Sequence, residues 1–246
     1  MAVHETIDDG IAILTMDNPP VNALNITDAY FIAEKMSSYS KREDGIKVIL
    51  LRSSGNGFCA GVDIKEIQEL PENEGILKAN HSCYELFDAI HSSKIPVIAS
   101  VKGHCLGTGI GIVGSADIII ASQEATFGLP EVDNGALGAA SHLMRLVPAQ
   151  RARWMLYTCE TATSQELFNY GSVLEVVEME KLEEASLLAA KKIAGKNGTL
   201  IRAAKASLDG IEETNLSKRY RLEQGYTFEM NLMGIGDQAR DAFLDK

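Results

Sequence analysis

The chain has 246 residues, with 23 Lys and Arg against 34 Asp and Glu, a formal net charge of −11. Hydrophobic residues make up 46%, enough for a sizeable core, which argues against disorder, and the length suits one large domain or one domain with a small appendage. The negative balance argues against non-specific nucleic-acid binding, and apolar runs such as Val48–Leu51 and Ile118–Ala121 are too short to span a bilayer.

The first residues, Met-Ala-Val-His-Glu, lack a basic region followed by an apolar stretch, so no secretory leader is predicted. Thr6–Asp8 and Ile11–Met16 flank Asp9-Gly10, a hairpin signal, and Asn18-Pro19-Pro20 closes the second strand because proline cannot donate to a ladder. Asn25–Asp28 offers a helix cap, with helix over Ala29–Met36. Lys47–Arg52 reads as a strand, followed by a glycine-punctuated loop over Ser53–Gly61. A helix is predicted over Ile76–His91, with Leu77, Tyr84, Phe87, Ala89 and Ile90 in its apolar stripe. Pro96–Val101 is a strand, Gly103–Gly114 a glycine-rich turn entering a helix, and Asp117–Ala121 a buried strand.

This alternation favours an α/β class. Beyond Pro148 the pattern turns helical, over Ala149–Tyr157, Ser164–Asn169, Lys181–Ala194, Leu200–Gly210 and Ser217–Met233, with Ser172–Val177 the one later strand. A soft boundary near residue 195 divides an α/β core, 1–195, from a helical region, 196–246. That region suits oligomerisation or simple packing on its own body. The four cysteines, Cys59, Cys83, Cys105 and Cys159, form no CxxC pair and have no histidine at ligand spacing, so neither a zinc site nor a disulfide framework is predicted and a reduced, cytoplasmic setting is expected.

Three segments are candidates for chemistry. In Gly57–Ile67 the small residues permit close backbone approach to a ligand. There Asp63 can cap a helix starting near Ile64, free N–H groups at the helix start can face a ligand oxygen, and Lys65 can meet a phosphate. An ordinary loop-to-helix turn with a solvated lysine explains the same residues. In Gly103–Gly111 the spacing fails the GxGxxG dinucleotide fingerprint, and exposed N–H groups at a helix start suit an oxyanion instead. His104 is a catalytic candidate there, though a packed histidine is the commoner case. In Thr126–His142, Glu131 follows a proline in an apolar stretch, where desolvation raises a carboxyl pKa toward general acid–base use; a helix-start glutamate is the structural alternative. His142 falls on the helix that follows, as a further candidate or as a core histidine.

Taken in order, Pro19–Leu24, Cys59–Lys65, Gly103–Gly111 and Phe127–Glu131 resemble the crotonase, or enoyl-CoA hydratase/isomerase, superfamily. The resemblance implies a spiral of ββα units with a helical C-terminal trimerisation region, a homotrimer or a hexamer built as a dimer of trimers, and enolate stabilisation on a CoA thioester. It implies no cofactor beyond the coenzyme A of the acyl-CoA substrate, and no metal, nucleic acid or membrane. By position, the oxyanion donors would be the backbone N–H groups of Val62 and Thr108. Val21, Ala23, Ala60, Asp63, Ile64 and Lys65 would bind CoA or substrate, and Glu131 and His142 would be catalytic. Thr108 stands where the family usually has glycine. Gly111 stands where hydratases of the family carry a glutamate paired with the one matching Glu131, so ordinary hydration is disfavoured. Gly109–Gly114, Phe127–Val132, Gly135–Leu143, Tyr220–Glu229 and Arg240–Phe243 look closest to the ring-opening CoA hydrolases of bacterial steroid catabolism. An enoyl-CoA isomerase or hydratase, and a non-catalytic acyl-CoA-binding scaffold, are the alternatives.

Overall fold

The chain opens on a hairpin, β1 (Val3–Asp8) and β2 (Ile11–Met16), with Asp8 opposite Ile11. Its two-residue turn holds Asp9 and Gly10 at φ 43° and 78°, the left-handed geometry that matches strand twist. The protein is described here from a computed structural model over residues 3–41, 45–212 and 215–244.

β2 pairs in parallel with β3 (Val48–Ser53), and the sheet continues in parallel through β4 (Val97–Val101), β6 (Ile118–Ser122) and β9 (Glu175–Val177). A second sheet joins β5 (His104–Leu106), β7 (Thr126–Gly128) and β8 (Ala162–Thr163). Alternation decides which helix covers which face of the larger sheet. Ile49, Leu51, Val97 and Ala99 face the core under α1 (Ile26–Lys41) and α3 (Glu74–His91). Val48, Leu50, Ile98 and Ile120 face α8 (Leu182–Ala194) through Leu182, Ala190 and Ala194. With both faces covered, the parallel strands are continuous apolar runs.

The predicted strands and long helices are present, with shifted ends. α1 begins at Ile26, because Asn25 Oδ1 accepts from Asp28 N–H at 2.7 Å. The stripe predicted for α3 needs correction. Leu77 is 52% exposed, and the buried face runs through Ile76, Ala79, Cys83, Leu86, Phe87 and Ile90. Helical phase overrode the hydrophobicity of a single leucine. The short strands β5, β7 and β8 and the helix α11 (Ile235–Leu244) were not predicted from the sequence.

The remaining helices are α2 (Ile64–Glu69), α4 (Thr108–Ser115), α5 (Ala140–Leu146), α6 (Ala149–Thr158), α7 (Ser164–Tyr170), α9 (Gly198–Ile211) and α10 (Leu216–Leu232). α10 lies on α3 and α5 of the same chain. Gln224 Nε2 donates to the Asn80 carbonyl, and the Glu223 carboxylate accepts from Ala140 N–H at 2.7 Å and Ser141 N–H at 2.8 Å, capping α5 from a remote helix. Among the described residues no helix is long and apolar enough to cross a membrane.

Candidate active site

Three backbone segments lie side by side to form one wall of a cleft. Phe58 and Cys59 N–H donate to the His104 carbonyl, and Leu106 N–H donates back to Cys59. On the other side, Leu24 N–H donates to Gly61 and Asp63 N–H donates to Leu24. Those two bonds turn the intervening Val62 N–H away from Leu24. Asn22 holds the layers together: its Nδ2 donates to the Ser54 and Gly57 carbonyls, at 2.9 and 2.7 Å. The structure thus brings Val21–Leu24 against Ala60–Lys65.

Val62 and Thr108 both line the cleft. Neither N–H has an acceptor among the described residues. Thr108 opens α4, so its N–H is one of the helix's unsatisfied donors. Its hydroxyl sits 3.8 Å from Cys83 Sγ, so the side chain that replaces the usual glycine is turned into the wall.

Gly107, before Thr108, has φ 55° and ψ −112°, and a Cβ there would lie 2.8 Å from Glu131 Oε1 and 3.4 Å from Gly61 Cα. Only glycine lets the carboxylate descend onto the turn before Thr108. Glu131 stands in a turn rather than at a helix start, and its carbonyl accepts from Asn134 and Ala136 N–H. The residue as a whole is half-buried, but its Oε2 is buried without a hydrogen-bond partner among the described residues. Burial, with the nearby Glu223 adding to it, pushes the Glu131 carboxyl up to about 8. Cys83, also on the wall, is pushed up by burial to about 11, so it stays a thiol at neutral pH and is no rival nucleophile.

The C-terminal helices hold the Glu131 turn in place. Thr227 Oγ1 accepts from Leu137 N–H at 3.0 Å. Gly135, at φ 65°, packs so closely on α11 that a Cβ would lie 2.7 Å from Ala239 Cβ.

The other predicted residues divide clearly. Asp63 caps α2, its Oδ1 accepting from Lys65 N–H at 3.0 Å and Glu66 N–H at 3.3 Å. Those two N–H groups therefore do not face a ligand, contrary to the expectation of free donors at that helix start. Lys65 is exposed and in no ion pair among the described residues. Val21 is exposed, and Ala23, Ala60 and Ile64 are half-buried beside it. His104 packs its ring on Gly57 and shares a 2.8 Å hydrogen bond between Nε2 and the Val21 carbonyl, as a packed histidine does.

His142 is brought near the cleft but not into its lining. Its ring rests against Phe87 and Tyr220, with centroids at 4.9 and 5.3 Å, and both of those residues line the cleft. Burial, then Arg145 and His91, push it down to about 3, so it is neutral at physiological pH. Phe87, Tyr220, Asn80 and Thr227 are cleft residues that the sequence did not single out as functional. Of these, only Phe87 lay on the apolar stripe read for α3.

The profile described as Enoyl-CoA hydratase/isomerase matches residues 6–241. A Rhodococcus jostii protein named (7aS)-7a-methyl-1,5-dioxo-2,3,5,6,7,7a-hexahydro-1H-indene-carboxyl-CoA hydrolase is 46% identical, over 100% of this chain and 95% of its own length. A Mycobacterium tuberculosis protein of the same name is 45% identical, over 98% of this chain and 97% of its own. Among solved structures, an enoyl-CoA hydratase/isomerase from Xanthobacter autotrophicus superposes with a TM-score of 0.89 at 22% identity, covering 100% of this chain and 92% of that one. A Mycobacterium smegmatis enoyl-CoA hydratase superposes at 0.80 with 27% identity, covering 100% and 96%. With a profile match over nearly its whole length and relatives 45–46% identical end to end, the chain belongs to the enoyl-CoA hydratase/isomerase (crotonase) family.

Proposed function

We propose that this protein is a CoA-thioester hydrolase that opens a ring of a bicyclic diketone carried on coenzyme A. The observation that carries the reading is one buried carboxylate, Glu131, beside two N–H groups without a partner among the described residues, in a chain 45–46% identical end to end to two proteins named as CoA hydrolases of a dioxo-hexahydroindene carboxyl thioester. The thioester oxygen is held by Val62 N–H and Thr108 N–H, each worth about 3–4 kcal/mol of transition-state stabilisation in a dry site. Glu131 takes a proton from water as the water oxygen attacks the ring ketone. The bond from that carbon to the α-carbon of the thioester then breaks, and its electron pair moves onto the thioester oxygen as an enolate. Glu131 returns the proton to the α-carbon, and the new carboxylic acid releases its own proton to solvent, leaving a free carboxylate and an intact thioester, with one water consumed. Asn80 Nδ2, buried in the cleft lining without a partner among the described residues, is a donor suited to a second substrate carbonyl, which a plain alkenoyl chain lacks.

His142, held behind Phe87 and Tyr220, positions those rings rather than carrying protons. Val21, Ala23, Ala60, Ile64 and Lys65 hold the CoA portion, and Asp63 contributes by fixing the turn that presents Val62. The region 196–246 doubles as an assembly surface for a homotrimer or a hexamer. This is supported by large apolar side chains left exposed on its helices, among them Leu200, Leu208, Leu222 and Leu232 at 64–78%. Four free cysteines, three of them buried, suit a reduced, cytoplasmic setting.

The test is mass spectrometry of the CoA ester after incubation with the bicyclic diketone thioester and, separately, crotonyl-CoA. Ring opening predicts a gain of one water on the first and none on the second. Double-bond migration without water uptake would favour an isomerase, and hydration of crotonyl-CoA a hydratase.

Lys65→Ala is expected to raise KM for the ester about 1.5- to fivefold, the range of an exposed charge pair, with kcat nearly unchanged and the difference shrinking at high salt. Steady-state kinetics at two ionic strengths check this, and an unchanged KM would remove Lys65 from the CoA contacts.

A further inference from the structure

The ring of Phe87 occupies the place into which position 111 would send a side chain. A Cβ built on Gly111 would lie 2.0 Å from Phe87 Cζ and 2.3 Å from its Cε1, inside the ring's own volume. Phe87 has no slack to yield, being 3% exposed and set edge-on to Tyr220 and His142, with centroids at 5.1 and 4.9 Å. One turn along α4, a Cβ on Gly114 would lie 2.6 Å from His142 Cβ. Gly111 and Gly114 thus leave a bare helix face that the Phe87 ring and the Cβ and backbone of His142 fill. Phe87 is also part of the cleft lining, together with Glu131 and Thr108.

We propose that Phe87 is the specificity-determining residue of the cleft. Seated on Gly111 and clamped by Tyr220 and His142, it gives the pocket an apolar wall for a compact ring system. By the same packing it excludes any side chain from position 111, leaving Glu131 as the acid–base group. His142 is a positioning residue in this arrangement, acting through Phe87. The inference deepens the ring-opening reading and rests on it for the substrate's shape, while its steric half stands on the geometry alone.

Two measurements test it without turnover. The first is calorimetric binding of a saturated bicyclic carboxyl-CoA and of butyryl-CoA, neither of which carries a ketone to react. Phe87→Leu is expected to weaken the bicyclic ester about tenfold, the scale of a reshaped apolar pocket, while butyryl-CoA changes less than about threefold. His142→Ala should lose the same discrimination, and His142→Phe should restore it, as ring support does and a proton carrier does not. Equal effects on both esters, or none, would overturn the specificity role.

The second is coupling in thermal unfolding. Gly111→Ala alone should lower Tm by at least about 5 °C, because a methyl is forced into a filled core. With Phe87→Ala in the same chain, the Gly111→Ala change should cost little further. Additive losses would overturn the steric half. If the parent protein leaves the bicyclic diketone ester unopened while the ester discrimination and the coupling both hold, the ring-opening reading falls and the role of Phe87 stands.

Discussion

Glu131→Gln is expected to lower kcat by about 10²- to 10⁴-fold, the span that a positioned general base contributes, while the Kd for a non-reacting acyl-CoA stays within a few-fold. Glutamine keeps the shape of the side chain that lies over Gly107 but cannot accept the water's proton. Single-turnover kinetics beside calorimetry separate the two effects, and a kcat within a few-fold of the parent's would end Glu131's role as base. The pH dependence supplies a second check. The free enzyme holds this carboxyl protonated up to about 8, so kcat/KM should climb with pH until that value and then level. Stability should move the opposite way. Between about 4.5 and about 8 the unfolded chain has released this proton and the folded chain retains it, so the folded state binds more protons and loses stability as pH rises through the window. Glu131→Gln removes that loss. The variant should therefore match the parent's unfolding free energy near pH 5 and exceed it at pH 8 and above, measured by denaturant titration at each pH.

The parts of the site that sequence reasoning reached are those whose chemistry is local in the chain. Gly107 before Thr108, and Gly61 before Val62, announce close backbone approach by residue type. Asp63 announces a cap by its distance from the helix it starts, and the structure places it there. Glu131 is visible because a carboxylate inside an apolar run has few structural uses. Gly111 was legible as an absence, a missing acid, but its cause was not, since Phe87 comes from another helix and only the fold superposes the two. Tyr220 and Thr227 reach the cleft from α10, about ninety residues beyond Glu131 in the sequence, and no periodicity encodes such a meeting. His142 shows the limit most clearly. Its helix was foreseeable, yet whether it meets the cleft or stands behind two rings depends on packing alone. The three-residue strands β5 and β7 carry no usable alternation, and they are held by bonds to the 58–59 and 103 backbones rather than by propensity. The division at residue 195 followed composition, whereas the contacts of Thr227, Glu223 and Ala239 tie the later helices to α5 and to the turn that carries Glu131.

That tie can be measured at a buried charge. Lys205 on α9 is 4% exposed, and its Nζ donates to Asp117 Oδ1 at 2.9 Å, Asp209 Oδ1 at 3.2 Å and the His91 carbonyl at 3.4 Å. An ammonium has three donors, and each has an acceptor here. Asp117 does double duty, since its Oδ2 accepts from Val97 N–H at 2.7 Å at the start of β4. Asp117→Ala leaves the lysine buried beside one partly exposed carboxylate and unties a strand end. It should cost about 3–5 kcal/mol, the usual result of stripping one partner from a buried pair. Lys205→Met should cost less, because the carboxylates it abandons lie nearer solvent, at 27% and 33% side-chain exposure, and the thioether fills the same channel. The order of the two variants is thus the discriminating quantity: a surface-type pair would give small and equal losses. Unfolding should also stay a single transition in both. α9 joins the ends of α3 and β4 through this one ammonium, and Thr227 and Ala239 hold the turn beyond them. A C-terminal unit that melted ahead of the body would show those contacts to be incidental.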